Sequence, residues 1–129
     1  MGFVHLYLVR HAMASHNVPN APAAHISLPS ETEAYRLTYG DSPLTSQGAL
    51  QAELLGKRLA DTAIDAVISS PFLRAAAPAH AVVRQQKTAF PIELLPDLAE
   101  CSTHDYAGMP HELLPRMYPG ISPSFSAGI

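Results

Sequence analysis

The chain has 129 residues, of which 47% are apolar and 15% are charged, and its formal net charge at pH 7 is −3. This composition is typical of one globular domain and excludes a wholly disordered protein, while the negative charge offers no general positive field to a nucleic acid. With a single cysteine, Cys101, and no apolar run near the ~18 residues of a membrane span, a soluble cytoplasmic protein without nucleic-acid or membrane partners is expected.

The chain begins with an apolar run followed by a polar, proline-containing stretch. The run at residues 3–9 predicts a buried strand, which ends at Arg10 and His11. Prolines and small polar residues predict a long loop over residues 17–40, with a short helix at residues 31–39 inside it. Arg10 and His11 therefore lie at the carboxyl end of the predicted strand, directly before the predicted loop.

A helical pattern and a second extended pattern follow the loop. Leucines and alanines at i,i+4 spacing predict a helix over residues 45–61, with the Thr45 hydroxyl as its N-cap. A short apolar run then predicts a strand at residues 65–70, which a proline stops.

The same alternation continues toward the end of the chain. A second helix is predicted at residues 72–86, where Pro78 should kink the helix or delay its start, and a third strand at residues 92–95. Prolines and glycines follow Tyr106, so the last ~15 residues are predicted to be loop or disorder. Strands that alternate with helices predict an α/β domain with a parallel sheet.

Two arginines and a histidine are predicted to meet at one edge of this sheet. Arg10 and His11 follow the first strand, and Arg74 lies in the first turn of the helix after the second. Ligands of open α/β sheets bind outside the carboxyl ends of the strands, where guanidinium groups and free helix amides suit a dianion. Taken separately, each of these residues is also common on an ordinary protein surface.

Four motifs occur in a fixed order along the chain. They are LVRHA at residues 8–12 with Ser15 and Asn17 after it, DSPLTSQGALQA at 41–52, VISSPFLRA at 67–75, and LAE at 98–100 with Gly108 after it. Together they resemble the motifs of the histidine phosphatase superfamily, also called the phosphoglycerate mutase-like family. The resemblance implies a three-layer α/β/α fold with a mostly parallel sheet.

The resemblance also implies a reaction and a role for each matched residue. His11 would attack phosphorus and become a phosphohistidine, Arg10 and Arg74 would bind the phosphoryl oxygens, Asn17 would assist at the pocket rim, and Glu100 would protonate the leaving oxygen. Fixed cations around one nucleophile suit a transferring phosphoryl group, and a carboxylic acid suits a leaving alkoxide. The expected activity is hydrolysis of a small phosphorylated substrate, without a cofactor or a metal.

The sequence departs from the family pattern at three places. Ala12 replaces the glycine after the nucleophile, and Ala77, Pro78 and Ala79 replace a Q-T-A triplet. The family's second essential histidine, in a V-x-H-G segment of a later strand, has no counterpart, and neither His104 nor His111 is assigned to that role. We therefore expect residues 1–129 to be one histidine phosphatase-like domain that lacks its C-terminal part.

Two alternatives to a phosphatase remain open at this stage. A phosphoglycerate-type mutase would use the same pocket, and a catalytically silent phosphate-binding or interaction module would keep the arginines without turnover. A metal site is not expected, because the spacing of the acidic and histidine residues between 104 and 112 is not that of a helical zinc motif. The sequence leaves the leaving group and the oligomeric state open.

Overall fold

The computed structural model describes residues 2–15, 17–18, 42–88, 90–98 and 121–122. Within these ranges the elements are α1 (Ser46–Arg58), β1 (Val67–Ser69), α2 (Leu73–Gln85), β2 (Ile92–Leu94), a 3-10 helix (Pro96–Leu98) and β3 (Ile121–Ser122). The predictions for residues 19–41 and 99–120, which include the short helix at residues 31–39, lie outside the described residues. None of the described helices is long and apolar enough to cross a membrane.

The three strands form a parallel sheet in the order β1, β2, β3. Val67 lies opposite Ile92 in the first pair of strands, and Ile92 lies opposite Ile121 in the second. Helix α2 connects β1 to β2 and packs its buried face, with Leu73 and Ala76, against the sheet. A helix between two parallel strands confirms the predicted α/β class.

Helix α1 follows the predicted helix closely and buries a face of small residues. Thr45 caps it, since its hydroxyl oxygen accepts a hydrogen bond from the amide of Gly48 at 3.0 Å. The buried residues of α1 are Gly48, Ala52 and Gly56, whereas Leu50 and Leu54 are 53% and 55% exposed. The leucine spacing thus predicted the helix, while close packing of the chain around it selects the small residues for burial.

Close approach of the two helices explains why a glycine lies in the middle of α1. A Cβ atom at Gly56 would lie 2.5 Å from the carbonyl oxygen of Ala81 in α2, closer than a real Cβ atom comes to another atom. Glycine weakens a helix interior, and here it allows two backbones to pack against each other.

Helix α2 begins at Leu73, so Pro78 does not delay its start. The amide of Phe72 donates a hydrogen bond to the Ser70 hydroxyl at 3.2 Å, which closes the turn between β1 and the helix. Pro78 itself is buried inside the helix, which continues to Gln85.

Two predicted elements at the ends of the chain are wrong. Residues 3–9 form no strand and are exposed, Phe3 by 92% and Val4 by 94%. An apolar run indicates that a segment favours burial, but whether it pairs as a strand depends on a neighbour elsewhere in the chain. In the described sheet β1 pairs with β2 and not with residues 3–9. Residues 121 and 122, predicted to be loop, form β3, which is too short to produce a periodic sequence pattern.

Candidate active site

The segment that follows His11 is tied to the segment that enters α1. Ala14 and Leu44 form an antiparallel bridge, and the amide of Ser15 donates to the carbonyl oxygen of Pro43 at 2.9 Å. The first and second sequence motifs, about thirty residues apart, are therefore joined through their backbones. This contact fixes the position at which the chain leaves His11.

The first turns of α1 hold both backbone polar groups of Met13. Its carbonyl oxygen accepts from the amide of Thr45 at 2.9 Å, and its amide donates to Oε1 of Gln51 at 3.0 Å. A Cβ atom at Gly48 would overlap the Met13 carbonyl oxygen, so only glycine fits there. Thr45, Gly48 and Gln51 belong to the second motif, and their shared contact is the residue two positions after His11. We call this set of contacts the Met13 clamp.

Ala12 connects the same loop to α2 and orients the His11 ring. Its amide donates to the carbonyl oxygen of Arg74 at 3.3 Å, and its own carbonyl oxygen lies 2.7 Å from Nδ1 of His11. Because a carbonyl oxygen only accepts, Nδ1 carries the hydrogen in this contact, and in the neutral ring Nε2 then carries the lone pair. The ring is thus held in the tautomer in which Nε2 can act as a nucleophile.

Arg74 lies in the first turn of α2 and is only 4% exposed. The carbon of its guanidinium group lies 3.9 Å from the centre of the Phe72 ring, a cation–π contact between two buried side chains. A cation at a helix N-terminus opposes the helix dipole, and burial raises the cost of its charge. Both effects favour an anion beside the guanidinium group.

Arg10, His11 and Arg74 line one cavity of about 1000 Å³. Ser69 and Ser70, at the carboxyl end of β1, line it as well. The remaining wall is largely apolar and comes from the exposed N-terminal segment, from α1 and α2, from β1 and the residues before it, and from the residues after β2. The structure therefore brings together three of the five residues to which the sequence assigned a site role.

Asn17 and Glu100 are the other two predicted site residues. Oδ1 of Asn17 accepts a hydrogen bond from the amide of Ala14 at 2.9 Å, and the amide of Asn17 donates to the carbonyl oxygen of Ala14 at 2.9 Å. These bonds close a turn after His11, and Asn17 does not line the cavity. Glu100 lies outside the described residues, and those residues contain no group of three or more side chains suited to a metal ion.

Sequence reasoning missed the residues that hold this site together. Thr45 was expected only as a helix cap, Gln51 was matched to a motif without a role, and Pro78 was expected only to disturb its helix. The signal available for the Met13 clamp was the glycine of the second motif, since a glycine inside a helix points to a close backbone approach. No sequence pattern signals the stacking of Phe72 on Arg74.

The chain matches a known protein family over nearly its whole length. The sequence model of the histidine phosphatase superfamily (branch 1) matches residues 6–127. This range includes all four motifs and every predicted site residue. No curated protein matches the chain.

Proposed function

Because the chain belongs to the histidine phosphatase superfamily (branch 1), we propose that it hydrolyses phosphate monoesters through a phosphohistidine on His11. Membership supports a phosphoryl-transfer function of the phosphatase or mutase type in general. The observation that carries the more specific proposal is the 2.7 Å contact between Nδ1 of His11 and the carbonyl oxygen of Ala12, which leaves the lone pair on Nε2 of a ring that shares its cavity with two arginines. The proposed substrate is a small phosphorylated molecule, and the proposed compartment is the cytoplasm.

The reaction proceeds in two displacement steps. In the first, the Nε2 lone pair of His11 attacks phosphorus, a P–N bond forms, and the P–O bond to the alcohol breaks. The leaving oxygen takes a proton, for which Glu100 is the proposed donor. In the second, water attacks phosphorus and gives a proton to the Glu100 carboxylate left by the first step, the P–N bond breaks, and inorganic phosphate leaves while the lone pair returns to Nε2.

The arginines would supply the electrostatic part of catalysis. The transferring phosphoryl group spreads negative charge over its outer oxygens, so fixed donors around it lower the barrier. Arg74 suits this role because burial and the Phe72 ring hold its guanidinium group before a substrate binds. Arg10 is exposed and lines the same cavity, so it can close on the phosphate from the solvent side.

The direct test is to trap the phosphoenzyme with a labelled aryl phosphate. The wild-type protein should carry a label that acid removes and alkali does not, as expected of a phosphoramidate, and His11→Asn should carry none. His80→Gln, a change to a histidine of α2 that does not line the cavity, is the matched control and should label normally. An acid-stable label, or a normal label on His11→Asn, would contradict the proposal.

A second measurement separates hydrolysis from the two alternatives. The protein is incubated with an aryl phosphate and with a phosphoglycerate, and released phosphate and isomerised product are both measured. Hydrolysis without isomerisation supports the phosphatase, whereas isomerisation identifies a mutase. Binding of phosphate or vanadate without turnover of either substrate would identify a silent phosphate-binding module.

A further inference from the structure

Pro78 changes the hydrogen bonding of α2 at one particular carbonyl group. In an α-helix the amide of each residue donates to the carbonyl oxygen four positions earlier, so a residue at position 78 would donate to Arg74. Proline has no amide hydrogen, and its ring crowds that same carbonyl group. The helical donor to the Arg74 carbonyl oxygen is therefore absent, although α2 continues from Leu73 to Gln85.

The amide of Ala12 takes the place of this missing donor. It donates to the Arg74 carbonyl oxygen at 3.3 Å from outside the helix, and Ala12 is buried between the two helices, against Ala52 and Ala81. A buried amide without an acceptor is costly. The Arg74 carbonyl oxygen, which has no helical donor, supplies the acceptor that the buried amide of Ala12 needs. With another residue at position 78, a helical amide would donate to the same oxygen, and Ala12 would share the two lone pairs of that oxygen with the helical amide.

The contact continues from Ala12 to the proposed nucleophile. The carbonyl oxygen of Ala12 lies 2.7 Å from Nδ1 of His11, so the amide of Ala12 anchors the group that sets the tautomer of the ring. Pro78 thus acts on His11 through the backbones of Arg74 and Ala12. The proline that replaces a residue of the family's triplet is, on this geometry, part of the site's support.

We propose that Pro78 is a positioning residue: by removing an amide from α2, it reserves the Arg74 carbonyl oxygen for Ala12 and so fixes the orientation of His11. This proposal rests on the proposed function, in which Nε2 of His11 is the nucleophile. The proposal attributes the effect of Pro78 to its missing amide hydrogen. The amide hydrogen and the side chain at this position can be changed separately.

Two variants at position 78 isolate the amide hydrogen. Pro78→Ala restores it with a good helix former, and the ester made by placing lactic acid at position 78 has the alanine side chain without it. In Pro78→Ala we expect hydrogen exchange of the Ala12 amide to accelerate roughly two- to tenfold, the range for one hydrogen bond, and kcat to fall several-fold while the midpoint of thermal unfolding does not fall. The ester should keep the wild-type exchange rate at Ala12.

A control and a reading independent of activity complete the experiment. Pro91→Ala makes the same substitution at an exposed position outside both helices and should leave exchange and kcat unchanged. Imidazole nitrogen shifts report the His11 tautomer directly, and we expect the Nδ1-protonated form to lose population only in Pro78→Ala. An unchanged Ala12 exchange rate in Pro78→Ala, or an ester that behaves like Pro78→Ala, would overturn the proposal. If the wild-type protein hydrolyses no phosphate ester, the proposed function fails, and the exchange rates and nitrogen shifts still decide the role of Pro78.

Discussion

Replacing Gly48 with alanine should loosen the loop that carries the proposed nucleophile. The added Cβ atom would overlap the Met13 carbonyl oxygen and would lie 2.9 Å from the carbonyl carbon and 3.1 Å from the amide nitrogen of that residue. All three are backbone atoms, which cannot rotate away as the end of a side chain can. The loop must therefore move away from α1 or remain under strain.

The size of the effect follows from the contacts that Met13 makes. If the loop moves, the hydrogen bonds to Thr45 and Gln51 are lost, at about 0.5–1.5 kcal/mol each. If it stays, overpacking costs a similar amount, about 1–3 kcal/mol. Alanine improves the helix by about 1 kcal/mol, so we expect the free energy of unfolding to fall by up to about 2 kcal/mol.

Urea unfolding and kcat on an aryl phosphate measure the two consequences together. Gly48→Ala should lower both the unfolding free energy, at an unchanged m-value, and kcat. Gly56→Ala meets the backbone of Ala81 instead and should lower stability while kcat of the folded protein stays normal. Gly2→Ala, with no atom within 4 Å of the added group, should change neither. If Gly48→Ala keeps full stability and full kcat, the Met13 clamp does not hold the loop.

Three further predictions concern the side chains around the cavity. Phe72→Leu should raise the inhibition constant of inorganic phosphate about fivefold, which corresponds to the loss of roughly 1 kcal/mol of cation–π contact with Arg74. Phe72→Tyr, which keeps an aromatic ring, should leave this constant near its wild-type value. Gln51→Leu removes the acceptor of the Met13 amide and should lower kcat several-fold, whereas Gln51→Glu, which keeps an acceptor, and Gln47→Leu, an exposed change on the same helix, should not. Glu100→Gln should slow alkyl phosphates far more than aryl phosphates, because aryl leaving oxygens need little protonation; equal slowing would remove Glu100 from that role.

Local sequence patterns predicted four elements of the fold within a few residues of their bounds. Helix α1 was predicted from the spacing of its leucines, and β1 from a short apolar run that Pro71 ends. Helix α2 and strand β2 were predicted from local patterns of the same kinds. These patterns reflect interactions within a segment. The buried face of α1 and the exposure of residues 3–9 depend on what approaches from elsewhere in the chain. The sequence pattern did not specify the first, and the strand that it predicted at residues 3–9 is wrong.

The candidate site likewise has a part that residue types predict and a part that depends on contacts between distant segments. Arg10, His11 and Arg74 were identified because their side chains have the chemistry that a phosphoryl group requires, and that chemistry is visible in the residue type. The contacts that bring them to one cavity are made by backbone groups of Met13 and Ala12, and every residue type except proline has those groups. Their partners are therefore recognised by what they omit: Gly48 by the missing Cβ atom, and Pro78 by the missing amide hydrogen. A substitution that adds the missing atom should for this reason disturb the site more than one that shortens an exposed side chain, such as Leu50 or Leu54, on the same part of α1.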